Sequence, residues 1–244
     1  MIATGIPLDR FNKKSRVIFF TGAGISAESG IATFRDPDGH WSKYDPMKLA
    51  SPAGFRADPD LVLAWYAERR ETIASAKPNL AHLSITNFQK LFQETLVITQ
   101  NVDGLHQAAG NHSVYELHGS IHRQKCVKCD ADLGQIKAKT IAKLCGCGGR
   151  ARPDVVWFGE SLPHGILDHA FGFAEKTDLC FVIGTSSQVY PSAQLPHIVK
   201  RNGGYVVEIN PEKTILSDQA NISLRGLAGE LLPRVYEEFY ASLN

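Results

Sequence analysis

"GAGISAESGIATFRD", Gly22 to Asp36, follows the apolar run "RVIFFT" and decides what kind of sheet the chain builds. Gly22-Ala23-Gly24-Ile25-Ser26-Ala27 fits the G-x-G-x-x-A spacing of a dinucleotide loop. In such a loop the first glycine allows a tight turn after a strand, and the second lets backbone approach a pyrophosphate. The final small residue admits close packing of the next helix. Alone, the match also fits a strand-to-helix turn with no ligand. A hydride-transferring dehydrogenase would next show a second strand ending in Asp or Glu about 20 residues on, to grip the adenosine ribose. Here that region reads "HWSKYDP", His40 to Pro46, which is a loop. The glycines predict a nucleotide site, and the absence of that second strand argues against redox use of it.

On either side of this stretch, β-branched and aromatic runs recur with helical stretches between them: "RVIFFTG", "TLVITQ", "VYELHG", "DVVWFG", "LCFVIGT" and "YVVEIN". Nearly continuous apolar strands of this kind belong to a parallel sheet covered on both faces. The expected fold is α/β, a Rossmann-like doubly wound domain whose ligands bind beyond the carboxyl ends of the strands. Two insertions interrupt it. The expected division gives residues 1–35, 78–118 and 155–244 to the nucleotide-binding domain, 36–77 to a loop and helical insertion, and 119–154 to a small metal-binding domain.

The chain has 244 residues, 43% of them hydrophobic, enough to bury a sizeable core. With 26 basic and 25 acidic residues its formal charge is +1, which offers no extended electrostatic footprint for nucleic acid or an anionic membrane. Met1 to Arg16 lacks the apolar core of a secretion signal, and no stretch of about 18 apolar residues comes after it. A cytoplasmic protein is expected, and a monomer, since nothing reads as an obligate dimer surface. Of five cysteines, Cys180 lies in "DLCFVIG" and reads as a small buried hydrophobe. The other four, Cys126-x2-Cys129-x15-Cys145-x-Cys147, have the loop spacing of a zinc ribbon. Four thiolates leave no open coordination position, so the zinc is expected to be structural. The tight Cys145-x-Cys147 pair leaves either cysteine replaceable by nearby His122, and a cluster that has lost its metal is the alternative.

"GAGISAESGIATFRD", "TQNVDGLHQAAG", "ELHGS", "RPDVVWFGE", "IGTSSQVYP" and "EINPE" together resemble the sirtuins, NAD-dependent protein deacylases, in the family's order from residue 17 to about residue 212. The resemblance implies cleavage of the nicotinamide bond of NAD with no hydride passed. It implies that Phe34, Arg35 and Trp41 lie in a loop closing over NAD, and that Gly22, Ala23, Gly24 and Ala27 meet the cofactor. Gln100, Asn101, Val102 and Asp103 would hold its ribose and nicotinamide end. Gly184, Thr185, Ser186, Asn210, Pro211 and Glu212 would contact its phosphate, adenosine and ribose, with Ala228 near the adenine. His118 corresponds to the general base, with Asn101 and Asp103 beside it. An imidazole with an unperturbed pKa of about 6.5 suits that task, although by itself a strand-end histidine reads more simply as structural. Val156, Trp157, Phe158 and Gly159, with Val189 and Tyr190, resemble the two segments between which the acyl-lysine substrate is threaded as an extra strand. The same scaffold could serve a plain deacetylase or an ADP-ribosyltransferase; a zinc-ribbon binding module with a vestigial pocket is disfavoured by the intact Asn101, Asp103 and His118.

In "DPDLVLAWYAERRETIASA", Asp58 is a plausible N-cap and Pro59 a first helical residue. Advancing about 100° per residue puts Val62, Trp65, Tyr66 and Ile73 on one arc with Arg69 inside it. A guanidinium on an apolar stripe needs a partner, either an acidic side chain of this chain or an anionic ligand forked by Tyr66 and Arg69. Tyr66-x-x-Arg69 resembles the pair by which class III sirtuins bind the distal carboxylate of succinyl, malonyl or glutaryl lysine, and Ala50 resembles the small residue that widens their acyl pocket.

Overall fold

The computed structural model describes residues 4–33, 46–138, 140 and 144–244. A six-stranded parallel sheet forms the centre: β1 (Arg16–Thr21), β2 (Glu94–Thr99), β3 (Val114–Glu116), β7 (Leu179–Ile183), β8 (Tyr205–Ile209) and β9 (Ile222–Leu224), in the order β3-β2-β1-β7-β8-β9. This is the doubly wound order, which reverses between β1 and β7 and opens a crevice at their carboxyl ends. In register, Thr21 stands beside Thr99 on one side and Ile183 on the other, so the residues after these three strands emerge together.

The strands are apolar on both faces because both faces are covered. Val17, Phe19, Val97, Phe181 and Val207 pack against the helices Leu80–Leu91 and Ala228–Leu243, with Phe19 and Phe181 stacked at 5.2 Å. Ile18, Phe20, Ile98, Cys180 and Val206 face the helices His164–Ala174 and Leu195–Arg201. Cys180 is fully buried, as its sequence context implied.

A second, three-stranded sheet has the order β5-β4-β6: β4 (Gly119–Cys126), β5 (Asp132–Gln135) and β6 (Ala151–Val155), all antiparallel. "DVVWFG", expected as a strand of the parallel sheet, belongs here instead. Only Asp154 and Val155 are in the strand, and Trp157 to Gly159 turn away from it. Buried apolar content suits either sheet, and the local pattern cannot tell them apart. The third core cluster joins this sheet to the helical insertion: Ala50, Phe55, Val62, Trp65, Tyr66 and Ile73 pack on Ile121, Val155 and Trp157. The helix Pro59–Ser75 starts as expected, with Asp58 accepting from Leu61 N at 3.0 Å. No helix among the described residues is long and apolar enough to cross a membrane.

Candidate active site

The loops after β1 and β7 touch. A Cβ on Gly24 would lie 2.7 Å from Gly184 Cα, and one on Gly184, whose φ is +59°, would lie 2.4 Å from Ile25 N. Glycine at both places therefore lets the two strand ends approach, in addition to any ligand they admit. The helix expected after the loop is a 3-10 helix, Ala23–Ser29, ending at Gly30 in the left-handed region. Ala27 is exposed and does not supply the expected close helix packing.

Ser26 does what the spacing left unread. Its hydroxyl donates to Asp103 Oδ2 at 2.8 Å and accepts from Asn101 Nδ2 at 3.1 Å, tying the glycine loop to the loop after β2. Asn101 also donates to Gly22 O at 3.2 Å, and Leu105 N donates to Asp103 Oδ1 at 2.9 Å. Burial pushes the Asp103 carboxyl up, while the Leu105 and Ser26 bonds and the charges of His122 and Arg69 pull it down. A serine within the G-x-G-x-x-A spacing was the only sequence signal for Ser26.

His118 ends β3's extension. A carbonyl can only accept, so the 2.9 Å contact between its Nδ1 and Gln100 O places the proton on Nδ1 and leaves Nε2 with a lone pair. Burial lowers its pKa, and the Gln100 bond partly opposes this. The imidazole is therefore neutral at physiological pH. Gly119 comes next with φ +77°; a Cβ there would lie 2.0 Å from Asp154 O, so glycine is what lets β4 start against β6 directly beside the histidine. Gln100 Nε2 donates to Thr185 Oγ1 at 2.9 Å and Asn210 Nδ2 to Thr185 O at 3.0 Å, which gathers three strand ends. Ala23, Val102, Gly184 and Ser186 are half-buried around this crevice, and Pro211 and Glu212 are exposed at its rim. Ala228 begins the last helix, where Gly229 N donates to Glu28 Oε2 at 2.7 Å. Phe34, Arg35 and Trp41 lie outside the described residues.

Two histidines absent from the sequence expectations lie beneath. His106 Nε2 is 2.9 Å from Thr21 Oγ1, which donates to Thr99 Oγ1, which accepts from Asn101 N. His82 receives Asn79 N at its Nδ1, and Asn79 Nδ2 donates to Ile25 O at 2.7 Å. The rings stand 4.9 Å apart, and burial drives His82 down to about 4 and His106 to about 3.

On the helix Pro59–Ser75, Tyr66 is buried among apolar side chains and accepts from Trp157 Nε1 at 2.9 Å. Arg69 is half-buried one turn on, its guanidinium 4.7 Å from the Trp65 ring centroid. Burial pushes its pKa down, opposed by Tyr66 and by the negative charge of Asp103. Arg70, not singled out from the sequence, is the more deeply buried arginine and donates to Thr140 O at 3.0 Å. Ala50 is buried, and its carbonyl accepts from Phe158 N at 2.9 Å. Val156 N donates to His118 O at 2.9 Å and Trp157 N to Glu160 Oε2 at 2.8 Å. Three successive N–H groups are thus committed, and Trp157 O already accepts from Glu160 N at 3.0 Å, so any strand pairing on this segment would use the Val156 and Phe158 carbonyls and Gly159. Phe158, Val189 and Tyr190 are exposed; Trp157 is not.

The sulfurs of Cys126, Cys129, Cys145 and Cys147 lie within 4.8 Å of one another, with Cys126–Cys147 at 3.5 Å and Cys129–Cys145 at 3.8 Å. Tetrahedral bonds of about 2.3 Å put sulfurs about 3.8 Å apart, so the set fits zinc. Both members of the tight pair are included. His122 is not among the ligand atoms gathered there; its Nε2 donates to Asp103 O at 2.9 Å.

Residues 22–191 match the model of the Sir2 family. The NAD-dependent protein deacylase of Pyrococcus furiosus is 49% identical over 234 residues, covering 93% of this chain and 94% of that protein. A solved ADP-ribose complex of a Sir2 homologue is 42% identical with a TM-score of 0.91, covering 96% of each chain. A Sir2 homologue solved with NAD is 44% identical with a TM-score of 0.89, covering 95% of this chain and 92% of that one.

Proposed function

The chain belongs to the Sir2 family, and from that premise we propose that it removes acyl groups from protein lysines at the expense of NAD. The products would be nicotinamide, 2'-O-acyl-ADP-ribose and free lysine. Bound NAD supplies a ribosyl centre whose bond to nicotinamide is broken. The observation that carries the reading is His118: a neutral imidazole with its proton fixed on Nδ1 by Gln100 O presents Nε2 as a base at the mouth of the crevice. Asn101 and Asp103, locked by Ser26, orient the groups around it. Gln100, Thr185, Ser186 and Asn210 hold the nucleotide across the reversal of strand order. Cys126, Cys129, Cys145 and Cys147 hold one zinc ion that stabilises the small sheet and takes no part in the chemistry.

The acyl groups include acidic ones, succinyl, malonyl and glutaryl, besides acetyl. Support comes from a phenol and a guanidinium one helical turn apart, against an apolar wall with Ala50 as its small member. Charge-assisted bonds to a distal carboxylate are each worth about 1.5–3 kcal/mol, roughly ten- to a hundredfold in affinity. The deciding experiment is kinetics on one lysine peptide bearing acetyl or succinyl, with nicotinamide release monitored. Both peptides should require NAD and release nicotinamide in step with free lysine. Intact NAD beside unmodified succinyl-peptide would reject the proposal.

A further inference from the structure

Resting on the acidic-acyl reading above, we propose that Trp157 is a specificity-positioning residue: its indole N–H fixes the direction in which Tyr66 offers its hydroxyl proton to the acyl carboxylate.

A phenol has one proton and two lone pairs, and an indole N–H is a donor only. The 2.9 Å bond from Trp157 Nε1 therefore forces Tyr66 to accept there. Its own proton must leave along another direction, and no hydrogen-bond acceptor for it stands among the described residues. Burial pushes the phenol's pKa up, with Arg69 opposing, so the proton is retained over the working pH range. Left to itself, a tyrosine hydroxyl rotates between donating and accepting. Held by Trp157, it becomes a committed donor on the same helical face as Arg69, a pair that suits a carboxylate and does not suit a donor such as an ammonium or amide N–H.

The indole is itself held hard. Trp157 is buried, and the Arg152 guanidinium lies 3.2 Å from the indole ring centroid. Arg152 is buried too and pairs with Glu160, Nη2 to Oε2 at 2.9 Å, while the same Oε2 accepts from Trp157 N at 2.8 Å. Phe55 also packs on the indole, with the ring centroids 5.2 Å apart. Position is thus transmitted from Glu160 through Arg152 and Trp157 to Tyr66, from the segment expected to hold the peptide to the helix expected to read the acyl tip.

The test is the ratio of kcat/KM for succinyl over acetyl on one peptide, in Trp157→Phe, Tyr66→Phe and the double variant. As a second probe, Trp157 is replaced by benzothienylalanine, which keeps the bicyclic shape and has no N–H. Either change at 157 should lower the succinyl-to-acetyl ratio about tenfold, mostly through KM for the succinyl peptide. In the Tyr66→Phe background the further change at 157 should leave the ratio where it is, because the two act through one hydrogen bond. An equal fall for both acyl groups, or losses at 66 and 157 that add in full, would overturn the inference while leaving the acyl reading intact. A ratio that Tyr66→Phe and Arg69→Met both leave unmoved would overturn the acyl reading, and this one with it.

Discussion

Around Asn101 and Asp103, polar side chains meet one another: Ser26 joins both, Gly22 O takes the Asn101 amide, and Leu105 N caps the carboxylate. Around Tyr66 the neighbours are Val62, Trp65, Ile73, Val155 and Ile121, with one hydrogen bond, from Trp157, set among them. The first region is assembled from strand ends whose positions the sheet dictates. The second is a helix bolted sideways onto a separate sheet by apolar packing. Under the proposed function, reactivity and selectivity are therefore stored in different places. Damage to the hydrogen-bonded end should cost activity on every substrate, whereas damage to the packed end should change which substrate is preferred.

The largest effect expected is at the first end. His118→Ala removes the proposed base, and acid–base assistance is worth about 10²–10⁴-fold. Nicotinamide release from acetyl and succinyl peptides should fall together by that factor. A fall for one acyl group alone would erase the contrast between the two regions. Next comes the packed end, where Arg69→Met should reduce desuccinylation roughly ten- to a hundredfold and deacetylation far less. Equal losses would move Arg69 into the first category. Ser26→Ala should then probe the hydrogen-bonded end from within. It leaves the Asn101 amide and the Asp103 carboxylate each short of a buried partner, at about 1–3 kcal/mol. That predicts about a tenfold loss in kcat/KM on both acyl peptides, with their ratio unchanged.

How far each region could be read from sequence obeys the same divide. Strand ends were legible because "RVIFFT", "TLVIT" and "CFVI" are local patterns, and a parallel sheet brings the residues after each of them into one crevice. Gln100, Asn101, His118, Thr185 and Asn210 duly meet there. The N-cap of the helix Pro59–Ser75 was equally local. Illegible were relations that cross the chain. "ISL" at Ile222–Leu224 is too short to announce itself as the sixth strand, and "DVVWFG" was apolar enough to fit the wrong sheet. Trp157 could be put beside a substrate groove, but nothing near it in sequence points its indole at Tyr66. Arg69 was singled out by its place on the arc, yet Arg70, whose guanidinium reaches Ala138 O and Thr140 O, is the one more fully enclosed.

The smallest expected effect on catalysis at neutral pH concerns what lies under the hydrogen-bonded end. His106 reaches the Asn101 backbone through Thr21 and Thr99, and His82 reaches the glycine loop through Asn79. Among the described residues the two rings meet the Thr21 hydroxyl, the Asn79 side chain and backbone, and each other, while Asn111 Nδ2 donates to both of their carbonyls. Their folded values, about 4 and about 3, lie below the ordinary imidazole value near 6.5. The unfolded chain thus takes up protons first as pH falls. Stability from the neutral pair is complete above about pH 6.5 and drains away below it, by up to about 1.4 kcal/mol per pH unit for each ring. The melting temperature should accordingly drop between pH 6.5 and 4.5, and His106→Gln should remove about half of the slope while lowering stability at pH 7.5 only modestly. If the slope survives in His106→Gln, other groups govern acid sensitivity. If instead activity on both acyl peptides is lost below pH 6 before the fold is, the pair supports the catalytic loops more tightly than it supports the core, and the two regions differ in acid tolerance as they do in specificity.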